Sequence, residues 1–138
     1  MLKQQRSAQQ AQATLDTGFQ RRHRLLNSAD FKPVFETHPW KSSDRYLTVL
    51  AICNHKPAAR LGMVFMKKRV KLAVQRNRLK RLTRHSFRFH KQQLAGLDLV
   101  VLARSGAAEA SNPVLSRSLQ KHWQRILKSK SLQSQSLK

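Results

Sequence analysis

Arg76, Asn77, Arg78, Lys80, Arg81, Arg84 and Arg88 crowd into one short run, with Lys67, Lys68 and Arg69 just upstream. Residues 67–88 carry ten Lys or Arg side chains and no acid. The chemistry open to such a set is phosphate recognition. Guanidinium forks engage phosphate oxygens two at a time, and the ammonium groups of Lys67, Lys68 and Lys80 act as point charges. A merely solvated helix face mixes signs to gain i,i+4 pairs, whereas this one forgoes them. Like charges held on one surface repel unless a polyanion matches them. Asn77 reads equally as an N-cap or as a group for a base edge or 2′-hydroxyl. Phe31 and Phe35, one helical turn apart, are either core or a stacking platform for unpaired bases, and Tyr46 is a weaker candidate of the same kind.

Other chemistry is poorly supplied. The six acids, Asp16, Asp30, Glu36, Asp44, Asp98 and Glu109, are scattered, and none pairs with another as a general acid and base. Of six histidines the closest pair is His85 and His90, five apart and on different helix faces, which does not suit zinc. The lone Cys53 excludes an internal disulfide and reads as a small hydrophobe. There is no Gly-rich phosphate loop. We therefore assign no catalytic and no metal-ligating residue to the chain.

The basic run must be positioned by a fold. At about 100° per residue, Asn77, Lys80, Arg81, Arg84, Arg88 and Lys91 share one side of a helix. Leu79, Leu82, Ser86 and Phe89 fall opposite, so this helix, expected from about Gln75 to Leu94 and stopped near Gly96, has one core face and one basic face. Upstream, Asn27 or Ser28 caps a helix running to about Thr37, with Pro33 a source of a kink or late start. His38–Asp44 reads as a loop, Tyr46–Cys53 as a strand, Asn54–Ala59 as a turn and Leu61–Met66 as a second strand. Leu97–Ala103 is a continuous apolar run suited to a central strand. Asn112 and Pro113 open a last helix carrying Leu115, Leu119, Trp123, Ile126 and Leu127 on one stripe to about Lys128. A further strand fits before Tyr46 or within residues 67–72.

The 138 residues suit one domain over 21–128, with a disordered Gln-rich extension over 1–20 and a flexible tail over 129–138. The fold class is α/β, an α+β two-layer sandwich of one sheet with helices packed on it. Twenty-eight Lys and Arg against six acids give a net charge of +22, which points to nucleic acid first and to an anionic membrane second. No acid lies between Arg45 and Leu97, so the field is concentrated there. No apolar run reaches the ~20 residues of a membrane span, and a cytoplasmic location is expected.

Three segments together resemble the bacterial ribonuclease P protein family: Gly62-Met63-Val64-Phe65-Met66-Lys67-Lys68, Ala73 through Arg84 with its Arg76-Asn77-Arg78 core, and Ser86-Phe87-Arg88. Arg24-Leu25, Asp30-Phe31, Val34-Phe35, the Leu97–Ala103 strand with Arg104, and Leu119 with Trp123 extend the likeness over about residues 20–128. The resemblance implies a mostly four-stranded sheet with a left-handed βαβ crossover. It implies a protein bound, one to one, to a catalytic RNA subunit that removes the 5′ leader of precursor tRNA with Mg²⁺ held mainly by the RNA. By position, Lys67, Lys68, Arg69, Arg76, Asn77, Arg78, Lys80, Arg81, Arg84 and Arg88 would face that RNA. Phe31 and Phe35, with Tyr46, would line a cleft for the leader. The family's third cleft aromatic has no counterpart, because Val49 or Leu50 stands there. A general RNA-binding protein and a protein-only nuclease are the competing classes, and the scattered acids disfavour the second.

Overall fold

The computed structural model describes residues 21–136, so the extension expected over 1–20 lies outside the described residues. A 3-10 turn at Arg21–His23 leads into α1, Ser28–Glu36. Asn27 caps α1 through a reciprocal box: its Oδ1 accepts from the Asp30 amide at 3.0 Å, and Asp30 Oδ2 accepts from the Asn27 amide at 3.4 Å. Pro33 sits inside this helix after all, in a nine-residue element where its missing donor removes one internal hydrogen bond. Four strands follow or interleave: β1 Trp40–Ser43, β2 Leu47–Cys53, β3 Arg60–Val64 and β4 Leu97–Ala103. Between β3 and β4 runs α2, Ala73–His90, and the chain closes with α3, Asn112–Ser136.

The sheet order is β1-β2-β4-β3, with β1–β2 and β2–β4 antiparallel and β3–β4 parallel. This mixed sheet with three α-helices is the α+β architecture expected, and α2 forms the crossover between the parallel pair. Central β4 is buried along nearly its whole length, which is why its sequence is apolar without alternation.

Several boundaries differ from expectation, three of them for a clear local reason. The further strand is β1, placed where a loop was expected. An edge strand needs little apolar content, and β1's polar Ser42 is buried against a distant histidine. The second strand stops at Val64, and Lys67, Lys68 and Arg69 form a turn in which the Arg69 and Val70 amides donate to the Met66 carbonyl at 3.0 and 2.9 Å. Last, α3 continues to Ser136 where a flexible tail was expected from Ser129; the segment holds no Gly or Pro to end it. Gly96, at φ +87°, turns the chain from the end of α2 into β4, a conformation that glycine adopts without a Cβ clash.

One side of the sheet packs on α2 and α3 through Leu47, Val49, Leu99 and Val101 against Leu79, Phe87, Leu115 and Trp123. Trp123 is fully buried, edge-on to Phe87 with centroids 6.3 Å apart, and its Nε1 donates to Ser86 Oγ at 2.8 Å. The other side carries a smaller cluster of Leu25, Val34, Leu50 and Val100 under α1. Ile52, Val64 and Leu102 on that side stay partly open.

Candidate nucleic-acid interface

The carboxylates are consumed by architecture. Asp98 on β4 receives Arg60 from the neighbouring β3 in a two-pronged pair, Nε to Oδ1 at 2.8 Å and NH2 to Oδ2 at 2.6 Å, with Asn54 Nδ2 adding 2.9 Å. Arg60 also reaches Asp30 at 3.5 Å, and the Asp98 pairing raises the guanidinium pKa further. Asp44 accepts from the Tyr46 and Leu47 amides at 2.8 and 2.9 Å and from Ser118 Oγ at 2.6 Å. Burial works against its ionisation, but the Ser118 hydroxyl and these amides win and hold it down to about 2. His122 stands between Ser42, whose Oγ lies 2.6 Å from Nδ1, and Asp44, 3.2 Å from Nε2 but off hydrogen-bond geometry. Burial lowers the His122 pKa despite Asp44. Asp44 owes its ionisation first to Ser118 and the amides. Ser42 and His122 are buried in the core, so this Ser-His-Asp set fastens β1 to α3 and offers no accessible nucleophile.

No acid from this scaffold lies on α2. Leu79, Thr83 and Phe87 turn inward, leaving the rest of the helix to its cations. Asn77 and Arg81 are exposed; Lys80, Arg84 and Arg88 are half-buried along their stems. Among the described residues none of these five side chains, nor Lys67 or Lys68, has a hydrogen bond or ion pair within the protein. The Arg84 and Arg88 Nε atoms are also out of solvent with no acceptor. The amino end of α2, capped by Leu72 without a side-chain hydrogen bond, adds the positive end of the helix dipole. Between α2 and the start of α3 runs a groove of about 680 Å³ lined by Arg78, Arg81, Arg84, Arg88 and Asn112.

Three of the expected phosphate ligands are differently employed. Arg76 NH1 donates to the Val70 and Lys71 carbonyls at 2.8 and 2.9 Å, pinning the connector before the helix. Arg78 donates to Gln75 Oε1 (2.8 Å), Asn112 Oδ1 (2.7 Å) and the Ala110 and Ala108 carbonyls (3.1 and 3.3 Å). It thereby latches α2 to the loop before α3. Arg69 NH1 reaches Ser105 Oγ at 3.1 Å. Nor is Asn77 an N-cap, because the helix begins four residues earlier at Ala73. Its exposed amide remains free for a partner.

The aromatics divide. Phe31 and Phe35 stack with centroids 6.3 Å apart and planes 21° from parallel, beside Val64 in a shallow cleft of about 500 Å³. Phe35 is 41% exposed. Gly62 makes the seat: a Cβ there would lie within 2.7 Å of Phe31 Cζ. Tyr46, by contrast, packs against the core under α2 and α3 and beside Gly106, with the Arg45 guanidinium 5.7 Å from its ring centroid. The structure does not bring Tyr46 to the other two aromatics. Leu50, one of the two residues aligned with the missing third aromatic, is buried on the side that α1 covers, whereas Val49 faces the other way.

Among the described residues no three His, Cys, Asp or Glu side chains gather as metal ligands, and no helix is long and apolar enough to cross a membrane. A mixed α+β sheet bearing an acid-free helix with a row of unpartnered cations defines a polyanion-binding protein. More narrowly, the chain belongs to the ribonuclease P protein family, whose model, described as Ribonuclease P, matches residues 19–127. It is 49% identical over 112 residues to the ribonuclease P protein component of Pseudomonas entomophila, covering 81% of this chain and 84% of that one. The Methylococcus capsulatus component is 47% identical over 106 residues, covering 77% and 82%. Among solved structures, the Staphylococcus aureus RNase P protein superposes with a TM-score of 0.70 at 27% identity, covering 76% of this chain and 97% of that one. The Thermotoga maritima RNase P protein gives 0.66 at 30% identity, covering 75% and 96%.

Proposed function

We propose that this chain is the protein subunit of ribonuclease P: it binds the catalytic RNA subunit, one to one, and the 5′ leader of precursor tRNA. In this reading it works in the cytoplasm and assists endonucleolytic removal of the leader. The observation that carries the reading is the row of free cations on α2, Lys80, Arg81, Arg84 and Arg88, on a helix without an acid. These side chains, with Lys67 and Lys68 on the turn, neutralise RNA phosphates. Phe31 and Phe35 lie across the sheet from α2, where their stacked rings suit unpaired leader bases. Mg²⁺ supplies charge neutralisation and the activated water of such a hydrolysis. Asp30, Asp44 and Asp98 do not fit a metal site, since they are engaged by Arg60, Ser118 and backbone amides, and among the described residues no three His, Cys, Asp or Glu side chains gather. The metal belongs to the RNA in this assignment, and the chain contributes binding and orientation.

The test is 5′ processing of a precursor tRNA by the ribonuclease P RNA of the same genome at limiting Mg²⁺, with and without the protein. Stimulation by the protein is expected. Absence of stimulation would return the chain to a general RNA binder, and cleavage by the protein alone would make it a nuclease in its own right.

A further inference from the structure

Phe89 belongs to the apolar arc that the sequence assigns to the core face of α2, yet the core does not take it. Phe87, two residues earlier, is fully buried, while Phe89 is 62% exposed. Its ring meets the His85 ring edge to face, with centroids 4.9 Å apart and planes at 71°. At about 100° per residue, Phe89, His85 and Leu82 form one row, with Arg81 and Arg88 beside it. His85, Leu82, Arg81, Arg84 and Arg88 all line the groove between α2 and α3, so Phe89 continues that wall by one turn. Val74, 67% exposed, lines the other end.

An apolar ring has no use for a phosphate, and a purely phosphate-gripping face would not need one. What a flat π surface among arginines does accept is a base, whose stacking is indifferent to sequence because every base has a π face. Paired A-form RNA shows no base faces, so the base must be unpaired. An acid-free surface argues against an apolar protein partner carrying ordinary mixed charge, and for a polyanion. We propose that Phe89 and His85 form a stacking platform for an unpaired base of the RNA partner, with the flanking phosphates held by Arg81, Arg84 and Arg88. The inference rests on the RNA partner proposed above and adds what part of it this face reads.

The experiment measures equilibrium binding of the full chain to the ribonuclease P RNA of its own genome, and to a fully paired RNA duplex, across a salt series. Phe89→Ala weakens binding to the ribonuclease P RNA by about tenfold and leaves duplex binding unchanged. Phe89→Leu, which keeps apolar bulk without a π face, behaves like Phe89→Ala, while Phe89→Trp retains the wild-type affinity. None of the three alters the salt slope, because no charge is removed. All three fold with an unchanged melting temperature, since the site is exposed. Tight binding that Phe89→Ala leaves within twofold of wild type would overturn this inference alone, as would wild-type affinity in Phe89→Leu. A wild-type chain that bound the ribonuclease P RNA no tighter than duplex would overturn the partner reading as well.

Discussion

Arg78 and Arg84 share a helix and a side-chain type but not a role. Arg78 makes four hydrogen bonds, to Gln75, Asn112 and two carbonyls, whereas Arg84 has no partner among the described residues. Hydrogen bonds from a charged donor contribute about 1.5–3 kcal/mol each at most, and partial exposure discounts them. Arg78→Ala should therefore cost about 2 kcal/mol in urea unfolding, while Arg84→Ala stays within about 0.5 kcal/mol and weakens RNA binding. Asp98→Ala leaves Arg60 largely buried against a single acid 3.5 Å away, and a loss of about 3 kcal/mol should appear as a lower urea midpoint at unchanged slope. The residue scale also sets the acid side of the stability curve. Burial, with the charges of Lys91 and Arg22, holds His23 down to about 4. The unfolded chain binds that proton from about pH 6.5 downward and the folded chain does not, so stability is complete above pH 6.5 and falls toward pH 4. The expected loss is about 2 kcal/mol, and His23→Gln should flatten the slope of ΔG against pH in that window. Asp44 acts lower: its contribution is present above about pH 4 and disappears as pH falls toward 2.

At the scale of elements, the sheet and helices were legible where the sequence is periodic. The β4 run, the α3 stripe and the core face of α2 stand out because apolar spacing reports burial directly. The further strand could not be placed between the stretch before Tyr46 and residues 67–72, because an edge strand held by Ser42, His122 and Asp44 is stabilised by polar groups some 80 residues apart, which no window sees. The fit of α1 on the sheet was equally hidden, since it depends on an absent side chain. Gly62 leaves the space that the Phe31 ring fills, with Leu25 Cδ1 at 3.0 Å from where a Cβ would stand. Gly62→Ala should displace Phe31 from its stack with Phe35 at a stability cost of about 1–2 kcal/mol. Its larger effect should be on leader binding. Affinity for a precursor tRNA with a single-stranded leader should fall, while affinity for mature tRNA is unchanged; an equal loss for both would show that the ring is packing only.

Across the whole molecule, charge type was legible and charge deployment was not. Composition and the acid-free run pointed to phosphate binding, and the family resemblance named the partner. The sequence, however, offered nine Lys and Arg side chains as candidate phosphate ligands. The fold withdraws Arg69, Arg76 and Arg78 into hydrogen bonds with Ser105, the connector carbonyls and the loop before α3. Six free cations remain on the turn and α2: Lys67, Lys68, Lys80, Arg81, Arg84 and Arg88. At about 0.7–0.9 counterions released per phosphate, log K against log salt should slope at about −4 to −5 for binding to the ribonuclease P RNA. Removing Arg81 and Arg84 together should make the slope shallower by about 1.5, and removing Arg76 should leave it unchanged while lowering the melting temperature. A wild-type slope near −8 would mean that RNA competes Arg69, Arg76 and Arg78 away from their carbonyls, so that the latch between α2 and α3 opens on binding. The two outcomes separate a preformed cation face from one that assembles against its partner, and Arg78→Ala, which leaves the slope unchanged in the first case and makes it shallower in the second, would decide between them.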